Sequence, residues 1–134
     1  MTDAVEGFDK MQFIRHYQFE KDESKTGRTL ETAKVGDVFI TKLTIEPRAI
    51  TGNLYHKETQ VILFVSKGKV LFRFVQVNTG QVKDMIIHPE QGIIHVPPYT
   101  ALASKNLFSN EESIVFFFSN KPFRSGDDYE HEVL

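Results

Sequence analysis

Cysteine and tryptophan are both absent from the 134 residues. Without thiols there is no disulfide scaffold, no thiolate metal site and no cysteine nucleophile. An excess of one charge is missing too: 16 Lys and Arg stand against 18 Asp and Glu, a formal net charge of -2. That balance, mixed along the chain, excludes a basic nucleic-acid surface and an acidic tail. No apolar run approaches the roughly 20 residues that span a bilayer. The first thirty residues carry no basic-then-apolar leader, so the expectation is a soluble cytoplasmic protein that binds neither membrane nor nucleic acid. Helical amphipathic periodicity is lacking throughout. What is abundant is phenylalanine, at 12 residues, enough for a large aromatic core or for a core plus an apolar interface.

The length suits one domain with a core of its own. Residues 1–9 are polar and without period, a loose N-terminus, and residues 10–134 make the single domain. Met11 to Phe19 alternates and is expected to be a half-buried or edge strand. Lys21 to Lys25 reads as a charged turn. Thr29 to Ala33 reads as a short strand broken at Gly36, and Val38 to Ile45 as a longer one stopped by Pro47. Val70–Val77 and Gln81–His88 alternate around Asn78-Thr79-Gly80, a hairpin. Short strands follow at Ile93–Val96, Ala101–Lys105 and Ser113–Ser119. The tail from Asn120 is polar, with Phe123, Tyr129 and Val133 as its packing residues. Eight or more such strands indicate an all-β sandwich, jelly roll or small barrel. In Ile114–Phe118 both faces are apolar, so one fills the barrel and the other needs a cover. The expected cover is a second subunit, making a homodimer.

Gly52 to Gly68 is the stretch around which chemistry gathers. It opens on Gly52-Asn53, expected to be a turn, places His56 in a polar segment, and runs through Val61–Val65 to a tight turn at Ser66-Lys67-Gly68. Of the five histidines, His16, His88 and His131 have surface or structural surroundings. His95 alternates in a way that leaves its facing open. His56 stands apart because of its neighbours. As a structural residue it would be a rim histidine bonded to Asn106 or Ser104.

In the register Leu54-x-His56-(x)4-Val61-(x)6-Gly68, this stretch resembles the first motif of the cupins. There, two His and one Glu occupy the positions held here by Leu54, His56 and Val61. Pro97-Pro98-Tyr99-Thr100-Ala101-Leu102-(x)3-Asn106 is similar to the second motif, with Tyr99 where the family has glycine and Leu102 at its last metal-binding His. The resemblance implies a double-stranded β-helix, the cupin jelly-roll barrel. It also argues against the family's metal, because Leu54, Val61 and Leu102 have no lone pair to donate. A tightly held divalent ion needs about three or four protein ligands. The expectation is no metal and no cofactor, with Leu54, Val61, Leu102 and Ser104 lining a pocket.

The likeness extends, over roughly residues 25–130, to the sugar-nucleotide 3,4-ketoisomerase and deoxysugar epimerase branch. Gly27-Arg28-Thr29-Leu30 resembles an Arg-Gly-x-Leu element of that branch with its first two residues inverted. Arg48, the Tyr55-His56-Lys57 run and Gln60 resemble its pattern of arginine, His-x-His-Lys and glutamine. The segment between Arg48 and His56 is about three residues longer here, and Leu54 replaces the first His. Pro89-x-x-Gly92-Ile93 and Ser119-x-x-Pro122-Phe123, then Asp127-Asp128-Tyr129, resemble later segments. This implies an isomerase or epimerase acting on a nucleotide-linked 4-keto-6-deoxy sugar in surface-polysaccharide synthesis. His56 would be the base and Tyr99 or Tyr55 the acid. Arg48 and Lys57 would meet phosphate or enolate, and Asn53, Tyr55, Gln60 and Asn106 would complete the substrate contacts. The alternative is a non-catalytic barrel that binds a small carbohydrate or apolar ligand as an accessory or sensor.

Overall fold

The computed structural model describes residues 13–134. Eleven strands and no helix make up these residues: β1 Glu20–Asp22, β2 Arg28–Val35, β3 Val38–Ile45, β4 Ile50–Tyr55, β5 Val61–Lys67, β6 Val70–Gln76, β7 Val82–Ile87, β8 Ile94–Val96, β9 Thr100–Asn106, β10 Ser113–Ser119 and β11 Tyr129–Glu130. Two antiparallel sheets result, in the orders β1-β2-β3-β10-β5-β8 and β11-β4-β9-β6-β7. From β3 onward the chain changes sheet at almost every connection, so the loops between strands bridge the two sheets at the rims of the barrel. This is a jelly roll.

Alternation explains the core. On β10 Val115 and Phe117 point inward and are buried, in one core with Leu43, Leu63 and Val65 of the neighbouring strands and Phe72 of the opposite sheet. Outward from the same strand, Phe116 and Phe118 both stack on Phe64 of β5, with centroids 5.5 and 6.1 Å apart. The β6–β7 hairpin pairs Val70 with Ile87 through Val75 with Val82, turning at Gly80 in a left-handed conformation.

Three sequence expectations need correction. Residues 13–19 form no strand, and Phe13 and Ile14 are 91% and 72% exposed. Their alternation is real, but no neighbouring strand takes their backbone bonds, whereas Glu20–Asp22, inside the supposed charged turn, pairs with β2. Residues 1–12, including the expected loose N-terminus, lie outside the described residues. Gly52-Asn53 is a bulge inside β4 and not a turn. Gly52 pairs with Ala103 and Leu54 with Leu102, leaving Asn53 as the extra residue. Both have positive φ, 102° and 60°, and a Cβ on Gly52 would lie 2.8 Å from the Leu102 carbonyl oxygen. Residues suited to a turn serve equally in a bulge. The third correction concerns the tail, which does far more than pack three side chains.

Candidate functional site

The bulge builds the site. In a regular strand residues an odd number apart face opposite sides. The extra Asn53 resets that parity, so Thr51, Leu54 and His56 all line one interior pocket. From β9 come Leu102 and Ser104, two apart on one face, and from β5 comes Val61. Beyond Tyr55 the chain crosses from one sheet to the other through residues 56–60, which sets His56 at the rim.

Residues 123–128 of the tail fold back over this crossing. Asp127, 8% exposed, accepts the backbone N–H groups of Lys57, Glu58 and Thr59 and the Thr59 hydroxyl, at 2.7 to 3.2 Å. Burial pushes its carboxyl up, but the Thr59 hydroxyl and the backbone donors outweigh that and bring it down to about 2. Its neighbour Asp128 meets His56, Oδ1 to Nε2, at 3.0 Å, and takes the backbone N–H of Arg124 on Oδ2 at 2.9 Å. Phe123 stacks on the His56 ring with an interplanar angle of 9° and a centroid distance of 5.6 Å. His56 is thereby fixed in the plane of its ring and at one nitrogen. It is not bonded to Asn106 or Ser104. Asn53 completes the strap: its Oδ1 accepts from the backbone N–H groups of Val133 and Leu134.

The interior hollow has a volume of about 80 Å³ and opens into a trough of about 620 Å³. Lys25, Leu54, Arg124 and Asp128 line both. Ligand pockets span roughly 300–1,000 Å³, so the trough has ligand size and the hollow holds one end of a ligand.

His56, Leu54, Val61, Leu102 and Ser104 come together in this pocket. Six other residues singled out from the sequence are placed elsewhere. Arg48 sits at the opposite end of β4, its N–H bonded to the Phe108 carbonyl. Six strand residues at about 3.3 Å each put it roughly 20 Å from His56. Asn106 is fully buried, donating to the carbonyls of Ile45, Glu46 and Glu111 and accepting from Phe108 N–H and the Ser113 hydroxyl. That uses all its capacity within the fold. Gln60 turns outward to His95 at 2.9 Å, which also settles the facing of His95. Lys57 lies over the Tyr129 ring at 4.2 Å, and Tyr55 stacks on Tyr129 with Tyr99 tilted beside it, all outside the hollow. The sequence reading missed the contributions of Arg28, Arg124, Asp127 and Asp128. The available signal was the run Asp127-Asp128 itself, two acids in a segment that resembled the family.

No protein-family model and no curated protein matches the chain. Solved structures do. The capsular polysaccharide assembling protein CapF from Staphylococcus aureus is 20% identical, with a TM-score of 0.76 over 88% of this chain and 34% of its own. Vicilin from Corylus avellana, hazelnut, is 15% identical with a TM-score of 0.67, over 84% of this chain and 34% of that one. Oxalate oxidase in complex with glycolate is 13% identical with a TM-score of 0.64, over 74% and 53%. The fold is the cupin jelly roll. This cupin barrel spans about a third of CapF's length.

The donor set of this site does not fit a metal. Around His56 stand Leu54, Val61 and Leu102, and among the described residues no three His, Asp or Glu side chains converge on one point. Aliphatic carbon at those positions leaves no buried donor unpaired. No helix among the described residues is long and apolar enough to cross a membrane.

Proposed function

We propose that the protein is a metal-independent isomerase or epimerase of a nucleotide-linked 4-keto-6-deoxy sugar, working in surface-polysaccharide synthesis as a homodimer. One observation carries this reading: a rim histidine that lines the hollow and is held at 3.0 Å by an aspartate, Asp128, which also lines the ligand-sized trough beside it. A carboxylate only accepts, so Nε2 of His56 carries the proton and Nδ1 keeps the lone pair. Nδ1 can then take a proton from the carbon next to the sugar carbonyl and return it to another position or face. Asp128 steadies the imidazolium formed in between. The hydroxyls of Thr51 and Ser104 line the same hollow and can donate to the enolate oxygen. CapF, a capsular polysaccharide assembling protein, supports the pathway class by its fold likeness. The apolar walls at Leu54, Val61 and Leu102 favour the second reading, a barrel that binds a small ligand without turning it over.

Deuterium wash-in separates the two. The protein is incubated in D₂O with dTDP-, UDP- and GDP-linked 4-keto-6-deoxyhexoses, and label next to the carbonyl is read by mass spectrometry and NMR. The expected result is wash-in with one of them, lowered about 100-fold or more in His56→Ala and in Asp128→Asn. Binding without wash-in in the wild type would leave the binding reading in its place.

A further inference from the structure

The trough and the hollow share two cationic side chains, beside Asp128, that no part of the His56 chemistry uses. Lys25 and Arg124 line both spaces, and Arg28 lines the hollow. Arg28 is the unusual member. Its side chain is 4% exposed, in a hollow whose other walls are largely apolar. Burial lowers its pKa from the ordinary value, with Asp22 acting against that. Such a desolvated guanidinium is costly unless it is paired.

Its pairing is incomplete. Nη1 donates to the Asp22 carbonyl at 3.0 Å and lies 3.6 Å from the Asp22 carboxylate. Among the described residues no buried side-chain nitrogen or oxygen is left without a partner, so the remaining nitrogens of Arg28 are those that meet the pocket. The same Asp22 carboxylate takes Nη1 of Arg124 at 3.0 Å. Lys25 has no ion-pair partner among the described residues. Lys25, Arg28 and Arg124 thus face the hollow and its opening; Asp22 lies behind them and Asp128 is engaged with His56, while Glu130 and Glu132 line the trough.

We infer that Lys25, Arg28 and Arg124 form an anion site at the barrel mouth, built for the phosphoryl oxyanion of the ligand. Asp22 is an internal counter-ion that the ligand displaces from the two arginines. The inference rests on the pocket as the ligand site and names the residues that grip the ligand's charged end. Two guanidinium forks and an ammonium suit an oxyanion with more than one negative charge and several acceptor oxygens. Asp22 sits on β1, a three-residue edge strand with β2 as its one neighbour, so its carboxylate can move away at small cost. A donor from the backbone already holds it, since its Oδ1 accepts the N–H of Ser24 at 2.8 Å.

The probe is inorganic pyrophosphate, followed by calorimetry and by amide chemical shifts, with no turnover required. The expected result is saturable one-to-one binding. Affinity should fall about tenfold or more in Lys25→Ala and Arg124→Ala, both of which change exposed or half-exposed side chains and leave the fold intact. Asp22→Asn keeps an oxygen for the Ser24 N–H and removes the competing charge, so its affinity should rise several-fold. A loss of affinity in Asp22→Asn, or binding unchanged in both cation variants, would overturn the site. Since no sugar is present, absence of deuterium wash-in with pyrophosphate binding intact counts against the His56 chemistry alone. Wash-in with no pyrophosphate binding counts against the anion site alone.

Discussion

The two rims of the barrel are each tied by one buried polar side chain, and the ties differ in what they leave over. At the rim where β3 ends and β10 begins, Asn106 spends every donor and acceptor on the loops around it. Beside it Gly68, at φ 96°, lets the chain pass where a Cβ would lie 2.0 Å from the Ser113 hydroxyl. Nothing there remains for a ligand. At the other rim Asp127 does the same structural work for residues 57–59, and its neighbours are then free to face a pocket. His56 pairs with Asp128 and Arg124 with Asp22 and Ser24, while Lys25 has no ion-pair partner among the described residues, around a hollow beside an open trough. Saturation by backbone marks a joint; polar groups paired among themselves over a cavity mark a place for chemistry.

The comparison breaks most visibly at Asn106. Asn106→Ala removes five hydrogen bonds and leaves several buried carbonyl and N–H groups unpaired. A loss of about 3 kcal/mol or more is expected, read as a lower midpoint in urea with unchanged slope. A loss below about 1 kcal/mol would mean that water replaces the side chain and that this rim is not a joint.

Asp127→Asn tests the other tie, with a smaller effect and a pH signature. The folded carboxyl titrates at about 2 against an ordinary 3.8. Its stabilisation is therefore complete above about pH 4 and lost as pH falls through 2, because below that range folded and unfolded states are both protonated. The size of the depression corresponds to about 2 kcal/mol. Wild type and variant should differ by that amount at neutral pH and converge as pH is lowered from 4 towards 2. A difference that stays constant over that range would assign the tie to packing.

Much of the frame was legible in the sequence, and the mouth was not. The β6–β7 hairpin shows itself because its turn and both alternating runs lie within twenty residues. The cupin register around His56 and Gly68 is also local. By contrast, His56 meets Asp128 from 72 positions away, and Asp127 reaches Lys57 from 70. No period records such a contact. Alternation alone also misled at residues 13–19, since a strand needs a partner with free backbone groups and only β1, further on, had one. The bulge at Asn53 was invisible for another reason: Gly-Asn satisfies the demand for positive φ in a turn and in a bulge alike.

The smallest expected effect is at Arg48, and it decides which rim carries the site. The family resemblance placed Arg48 with His56, over a segment about three residues longer than the family's; the fold places it at the Asn106 rim, roughly 20 Å away by strand length. Its φ of 59° is left-handed, so the substitution should be one that tolerates this conformation. Arg48→Asn should leave pyrophosphate affinity and deuterium wash-in as in the wild type, while Arg124→Ala changes the affinity. If Arg48→Asn instead abolished binding with the midpoint of unfolding unchanged, the ligand would lie at the Asn106 rim, and the cations at the His56 mouth would be solvated charge.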